Sequence, residues 1–229
     1  MKKLSFVLAL ALACSMTLTA CGNSSAPEAP KPEANAPVAP TTEATTTDDY
    51  TFRTNSETRV VTENGTFTKE NVTGPVLLTS IGQSADVSML DALMKKVGAE
   101  YTYNATATAE EVAGYPTVIL CSGASSKGLG AAGISQDDEL ARAQAIVDAC
   151  EANDITVIVA HLGGTARRGS LSDMFNDLAL PCADYILMVE DGNKKDSKFT
   201  DAAADMGVPI TLINSIADAV GPLTEVFGA

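Results

Sequence analysis

The chain contains no tryptophan and a single histidine, His161. One imidazole and a few scattered cysteines do not make a structural zinc site, so no metal is expected. Basic residues are also scarce: 15 Lys and Arg stand against 29 Asp and Glu, for a net charge of −14. Nucleic acid is recognised by a basic face, and anionic lipid by clustered Lys and Arg, so neither is an expected partner of the domain surface. No two of the five cysteines have the CxxC spacing of a redox or zinc motif. The sequence lacks GxSxG, HExxH and GxxxxGK[ST], and no GxGxxG follows its first strand. Those absences leave no recognised nucleophile elbow, zinc protease, P-loop or dinucleotide fingerprint, and no cofactor is implied.

What is present begins with an export signal. Lys2 and Lys3 precede an apolar run from Leu4 to Ala13. That run is too short for a permanent membrane span. Leu18-Thr19-Ala20-Cys21 follows and resembles a bacterial lipobox. The resemblance implies cleavage after residues 1–20 and acylation of Cys21, palmitate included, which would hold the protein on the extracytoplasmic face of a cell membrane. Several acyl chains on one residue anchor firmly, whereas one chain holds only marginally. Residues 21–49 then carry five prolines and no aliphatic side chain larger than Val38. Such a segment cannot bury enough apolar surface to fold and is expected to be a tether.

The remaining ~180 residues are enough for one core. Residues 50–74 are threonine-rich, and Glu63-Asn64-Gly65 separates Val60-Val61-Thr62 from Thr66-Phe67-Thr68. Asn-Gly accepts the positive φ of a tight turn, which predicts a small N-terminal β-hairpin. From residue 75 to 229 apolar strands alternate with amphipathic helices. Strands are expected at 76–80, 101–107, 117–121, 156–160, 183–189 and 209–213. Helices are marked by Leu90, Leu93, Met94 and Val97, then by Leu140, Ala143, Val147 and Cys150. Ser135 with Asp138 caps the second of these. Further stripes lie at Leu171–Leu178, Phe199–Met206 and Ile216–Phe227. This alternation defines an α/β domain: a doubly wound, mostly parallel sheet of the Rossmann-like or flavodoxin-like kind. Strand order 2-1-3-4-5-6 is preferred over 3-2-1-4-5-6, because the polar second strand suits an edge.

In such sheets ligands bind beyond the carboxyl ends of the strands, at the switch point of strand order. Three loops qualify. The first carries Ser80, Gln83 and Ser84, and precedes a helix whose free N–H groups could hold an anion. The second, from Ser122 to Gly133, places Lys127 among glycines. The third holds His161, Gly163-Gly164 and adjacent Arg167 and Arg168. A guanidinium fork matches a carboxylate, although two arginines on so acidic a chain could equally pair with Asp or Glu. His161 could orient a ligand, act as acid or base, or simply bond the backbone. Cys121, Cys150 and Cys182 read as small buried residues, and a Cys121–His161 pair is conceivable.

LLTSIGQSADV, GASSKGLG and HLGGTARRGSLSD resemble a family of bacterial lipoproteins and exported domains defined only as a domain of unknown function. The similarity covers about Pro75 to Gly228, and it implies no catalytic residue. The expected function is therefore binding of a small anionic solute by a lipid-anchored extracytoplasmic protein. Its ligand-binding residues would be drawn from Ser80, Gln83, Ser84, Ser122, Lys127, His161, Arg167 and Arg168. A membrane transport or sensor protein would be its partner. The alternatives are an extracytoplasmic hydrolase using His161 and a protein-interaction module without a small ligand.

Overall fold

The computed structural model describes residues 60–228. The signal, Cys21, the tether and the first part of the expected hairpin segment lie outside the described residues. Seven strands form one sheet: β1 (Val60–Glu63), β2 (Val76–Ile81), β3 (Thr102–Tyr103), β4 (Thr117–Ser122), β5 (Thr156–His161), β6 (Tyr185–Val189) and β7 (Ile210–Ile213). Their order is β1-β7-β6-β5-β4-β2-β3. All neighbours from β3 to β7 are parallel, and β1 is antiparallel to β7. The expected order of the six alternating strands is the observed one, with the polar second strand at the edge.

The four central strands are apolar because both of their faces are covered. The α-helices are α1 (Asp86–Lys96), α2 (Ala109–Val112), α3 (Ser126–Ala132), α4 (Gln136–Ala152), α5 (Ser170–Ala179), α6 (Lys198–Met206) and α7 (Val220–Phe227). One face packs Leu77, Leu120, Val157 and Ile186 against Val112, Ile146, Phe175 and Phe199 of α2, α4, α5 and α6. The other packs Leu78, Ile119, Ile158 and Leu187 against Leu90 and Met94 of α1 and Leu223 of α7. The helix after β2 therefore lies on the opposite face from those after β4, β5 and β6, which puts the switch point between β2 and β4.

Two local expectations are corrected. Residues 66–68 form no strand. The Asn-Gly turn exists, with φ of 59° at Asn64 and 111° at Gly65. The chain after it carries Phe67 onto the sheet, where its ring stacks on Tyr185 at 4.7 Å. β1 instead pairs with β7, Val60 beside Ile213 and Glu63 beside Ile210. The sheet thus supplies β1 with a longer partner than a local hairpin arm could. The glycine-rich stretch after β4 is not all loop, because α3 occupies Ser126–Ala132, capped by the Ser125 hydroxyl, which accepts from the Gly128 N–H. The expected Ser135 cap of α4 is present, accepting from the Asp138 N–H at 3.1 Å.

Candidate functional site

The loops at the carboxyl ends of β2, β4 and β5 pack tightly on one another. The Gly123 N–H donates to the Ile81 carbonyl at 3.1 Å, and the Ser125 N–H to the Gly82 carbonyl at 3.1 Å. A Cβ on Gly128 would overlap the Gln83 carbonyl oxygen. These glycines allow backbone to meet backbone. Gln83 sits at φ 55°. Its side chain is turned inward, donating to the Ala105 carbonyl at 3.0 Å and to Glu139 at 3.2 Å.

Glu139 and Arg142 are site-supporting residues that the sequence reading passed over. Glu139 is fully buried and accepts from the Gly82 N–H at 2.8 Å. Arg142 bonds Glu139 through Nε and Nη2, the Ala107 carbonyl through Nη1, and the Ser80 carbonyl. One buried ion pair thereby ties the first loop to α4. The signal was present: Glu139 lies four residues before Ala143, on the apolar stripe, with Arg142 one helical step away.

The arginine turn spans Gly164–Arg167, a single 3₁₀ turn before α5. Arg167 Nε donates to Asp86 Oδ2 at 3.0 Å, and Ser84 Oγ donates to the same oxygen at 2.9 Å. The aliphatic stem of Arg167 lies against Gly123 and Gly163. It therefore occupies the crevice at the switch point itself. Arg168 turns the other way and is 2% exposed. It donates to Asp173 at 2.7 Å, to both oxygens of Asp196 and to the Gly192 carbonyl, and lies 5.4 Å from the Phe199 ring centre. Burial works against its charge, but the bonds to Asp173 and Asp196 prevail and hold its pKa above the ordinary value. Burial likewise opposes the Asp173 charge. Its bond to Arg168 outweighs that and keeps its carboxyl below the usual range.

His161 is a strand residue, not a loop residue, and is fully buried. Nδ1 lies 3.2 Å from the Ser122 carbonyl oxygen and Nε2 3.2 Å from that of Gly164. The ring also sits 4.6 Å from Phe199. Burial drives its pKa down, against the two carbonyls that favour the proton. A neutral ring donates only one of these two bonds. Ser122 Oγ bonds Asn176, and Ser80 Oγ is buried without a hydrogen-bond partner among the described residues. Burial raises the Cys121 thiol far above its normal range.

An open depression of about 420 Å³ lies between the second and third loops, lined by Ser125, Ser126, Lys127, Arg167 and Ser170 among others. Lys127 is exposed and forms no ion pair among the described residues. Arg167 uses Nε for Asp86 and Nη1 for the Ala166 carbonyl. Helix α5 begins after Gly169, which offers no side-chain cap, so its first turn faces the depression with backbone donors. The structure thus brings Lys127 and Arg167 to one surface, with Arg168 at its rim but committed to Asp173 and Asp196. It does not bring Ser80, Gln83, Ser84, Ser122 or His161 there. Those side chains point inward, and Gln83, Ser84, Ser122 and His161 hold the loops by hydrogen bonds there. Among the described residues no group of three or more His, Cys, Asp or Glu is placed to hold a metal. No described helix is long and apolar enough to cross a membrane.

Fold and loops together define an open, doubly wound α/β domain whose switch-point face is built from three interlocked loops. Residues 73–227 match the family described as Domain of unknown function (DUF6305), and the chain belongs to that family. Among curated proteins none matches. Among solved structures, a GDSL-like lipase from Bacteroides thetaiotaomicron is 13% identical, over 59% of this chain and 65% of that one, with a TM-score of 0.28. The chain thus spans under two thirds of the lipase, and no residue of the lipase is carried over to it.

Proposed function

We propose that the domain binds a small anionic solute, a carboxylate, in the depression between Lys127 and Arg167, on a protein anchored to the extracytoplasmic face of a membrane through acylated Cys21. A membrane transport or sensor protein would receive the solute or the signal. The observation that supports this reading is a local concentration of donors on a chain of net charge −14. Lys127, which has no ion pair among the described residues, the remaining edge of the Arg167 guanidinium and the start of α5, which has no side-chain cap, all border one open space. Helix starts and arginine forks both favour anions.

Catalysis through His161 has less support. Both ring nitrogens face main-chain carbonyls, and the ring is sealed from the depression. The test of the binding reading is native mass spectrometry of the purified protein for a co-purified acid, followed by calorimetric titration with small carboxylates. Binding that is lost in Lys127→Ala and weakened in Arg167→Lys is the expected result. Unchanged affinity in both variants, or no carboxylate bound at millimolar concentration, would sink the proposal.

A further inference from the structure

Asp86 is the first residue of α1 and is 5% exposed. Its Oδ2 accepts from Arg167 Nε at 3.0 Å and from Ser84 Oγ at 2.9 Å, and its own N–H donates to Ser84 Oγ at 3.3 Å. The positive end of α1 also favours a carboxylate at this position. Glycines make room for the pair. A Cβ on Gly163 would meet both Asp86 Oδ2 and the Arg167 stem, and one on Gly123 would come 3.0 Å from Arg167 Cβ. In a doubly wound sheet this crevice is where a ligand usually sits. Here the chain fills it with its own ion pair. Arg167 lines the depression and Asp86 does not, so a ligand there meets the outer side of the guanidinium. On that side Nη1 has the Ala166 carbonyl at 3.3 Å, and Nη2 has no partner among the described residues.

We infer that Asp86 sets the charge selectivity of the anion site, admitting singly charged carboxylates and disfavouring doubly charged anions such as phosphate. The inference rests on the proposal that the depression binds an anion, and it names the charge class that the site selects. Lys127, Arg167 and Arg168 line the depression, and among the described residues no Asp or Glu does. Asp173 and Asp196 match Arg168, and Asp86 matches Arg167. Lys127 forms no ion pair among the described residues. One unmatched positive charge complements one negative charge on a ligand. A second negative charge would face the Asp86 carboxylate across the guanidinium with no further cation to answer it. That repulsion grows in proportion to the charge of the ligand. An unanswered like charge raises specificity by weakening the wrong partner. Asp86 touches no ligand and is a positioning residue. Its grip on Nε leaves the Nη1 and Nη2 side of Arg167 to the depression, and its charge offsets that of the fork.

The test is calorimetric titration of the full chain and of Asp86→Asn with sodium acetate and with inorganic phosphate, at pH 8 and constant ionic strength. An amide has the shape of the carboxylate, and its oxygen can still accept from Arg167 Nε and Ser84 Oγ, so the substitution removes the charge and keeps the bonds. Acetate affinity should rise about threefold and phosphate affinity about tenfold, since the relieved repulsion doubles with ligand charge. The preference therefore moves toward phosphate, whereas a loosened site would bind both anions less well. If the wild type binds acetate and the folded variant keeps the same ratio, or weakens both, the role of Asp86 is overturned and the site itself stands. If the wild type binds neither anion and the variant binds phosphate, the carboxylate reading falls and the role of Asp86 stands. If neither protein binds either anion, both fall. Should the variant not fold, nitrogen-15 NMR of the wild type decides. The Arg167 Nε–H signal, assigned by its loss in Arg167→Lys, should keep its slow exchange with water when acetate binds. Fast exchange on binding would mean that the ligand displaces Asp86, and would overturn the inference.

Discussion

Arg167 and Arg168 are neighbours in the chain and do different work in the fold. Arg168 is buried among Asp173, Asp196 and the Gly192 carbonyl. Removing one member of a buried pair leaves a charge without a partner, so Arg168→Ala should destabilise the domain by about 3–5 kcal/mol in urea unfolding. Arg167 is partly exposed, and one edge of its fork is held by Asp86. Arg167→Lys keeps the charge and loses the fork, so carboxylate affinity should fall about tenfold with little change in stability. Calorimetry and urea melts on the same samples separate the two roles. His161 gives a third expectation. Burial lowers its pKa in the folded state, so the unfolded state binds the extra proton first. Its contribution is complete above the unfolded value of about 6.5 and is lost as pH falls below it. Melting temperature should drop on acidification through pH 6, and His161→Gln should flatten that segment of the profile. An unchanged profile in the variant would assign the drop to other groups.

Among the elements, α3 departs most from the sequence reading, because its glycines resemble those of a loop. Gly128 and Gly130 both lie inside it. A Cβ at Gly130 would meet nothing within 4 Å, whereas one at Gly128 would overlap the Gln83 carbonyl. Gly130→Ala should therefore stabilise by about 0.5–1 kcal/mol, the usual gain in a helix interior. Gly128→Ala should instead cost about 1–3 kcal/mol, the penalty of overpacking against fixed backbone. Two substitutions of one kind, two positions apart, should shift thermal unfolding in opposite directions. The same sign for both would mean that the first loop yields at Gln83. β1 shows a related effect. Its Asn-Gly turn was legible, but its partner was not, since local sequence does not reveal that β7 offers an open edge.

At the scale of the molecule, the proposed anchoring and the proposed binding are separable. Cys21→Ala should release the protein from the membrane fraction without altering carboxylate binding, since Cys21 is remote in sequence from residues 73–227. Fractionation after metabolic labelling with an acyl precursor reads the first effect. A variant still acylated and still pelleting with membranes would end the lipobox reading.

The sequence by itself determined the alternation of strand and helix, and with it the parallel sheet, and it favoured the observed strand order over 3-2-1-4-5-6 without deciding between them. These follow from apolar runs such as Val157–Ala160, which need cover on both faces, and from a polar Thr102–Tyr103 that tolerates an edge. It also located the three loops that meet at the switch point. Only the tertiary structure decided which side chains of those loops face solvent. Ser80, Ser122 and His161 fall at or within strand ends, where alternation across the sheet turns them into packed layers. Arg168 found Asp196, far along the chain, besides the nearby Asp173, and Gln83 found Glu139. Such pairings depend on how α4, α5 and the turn after β6 pack together, and no local pattern of residues encodes that.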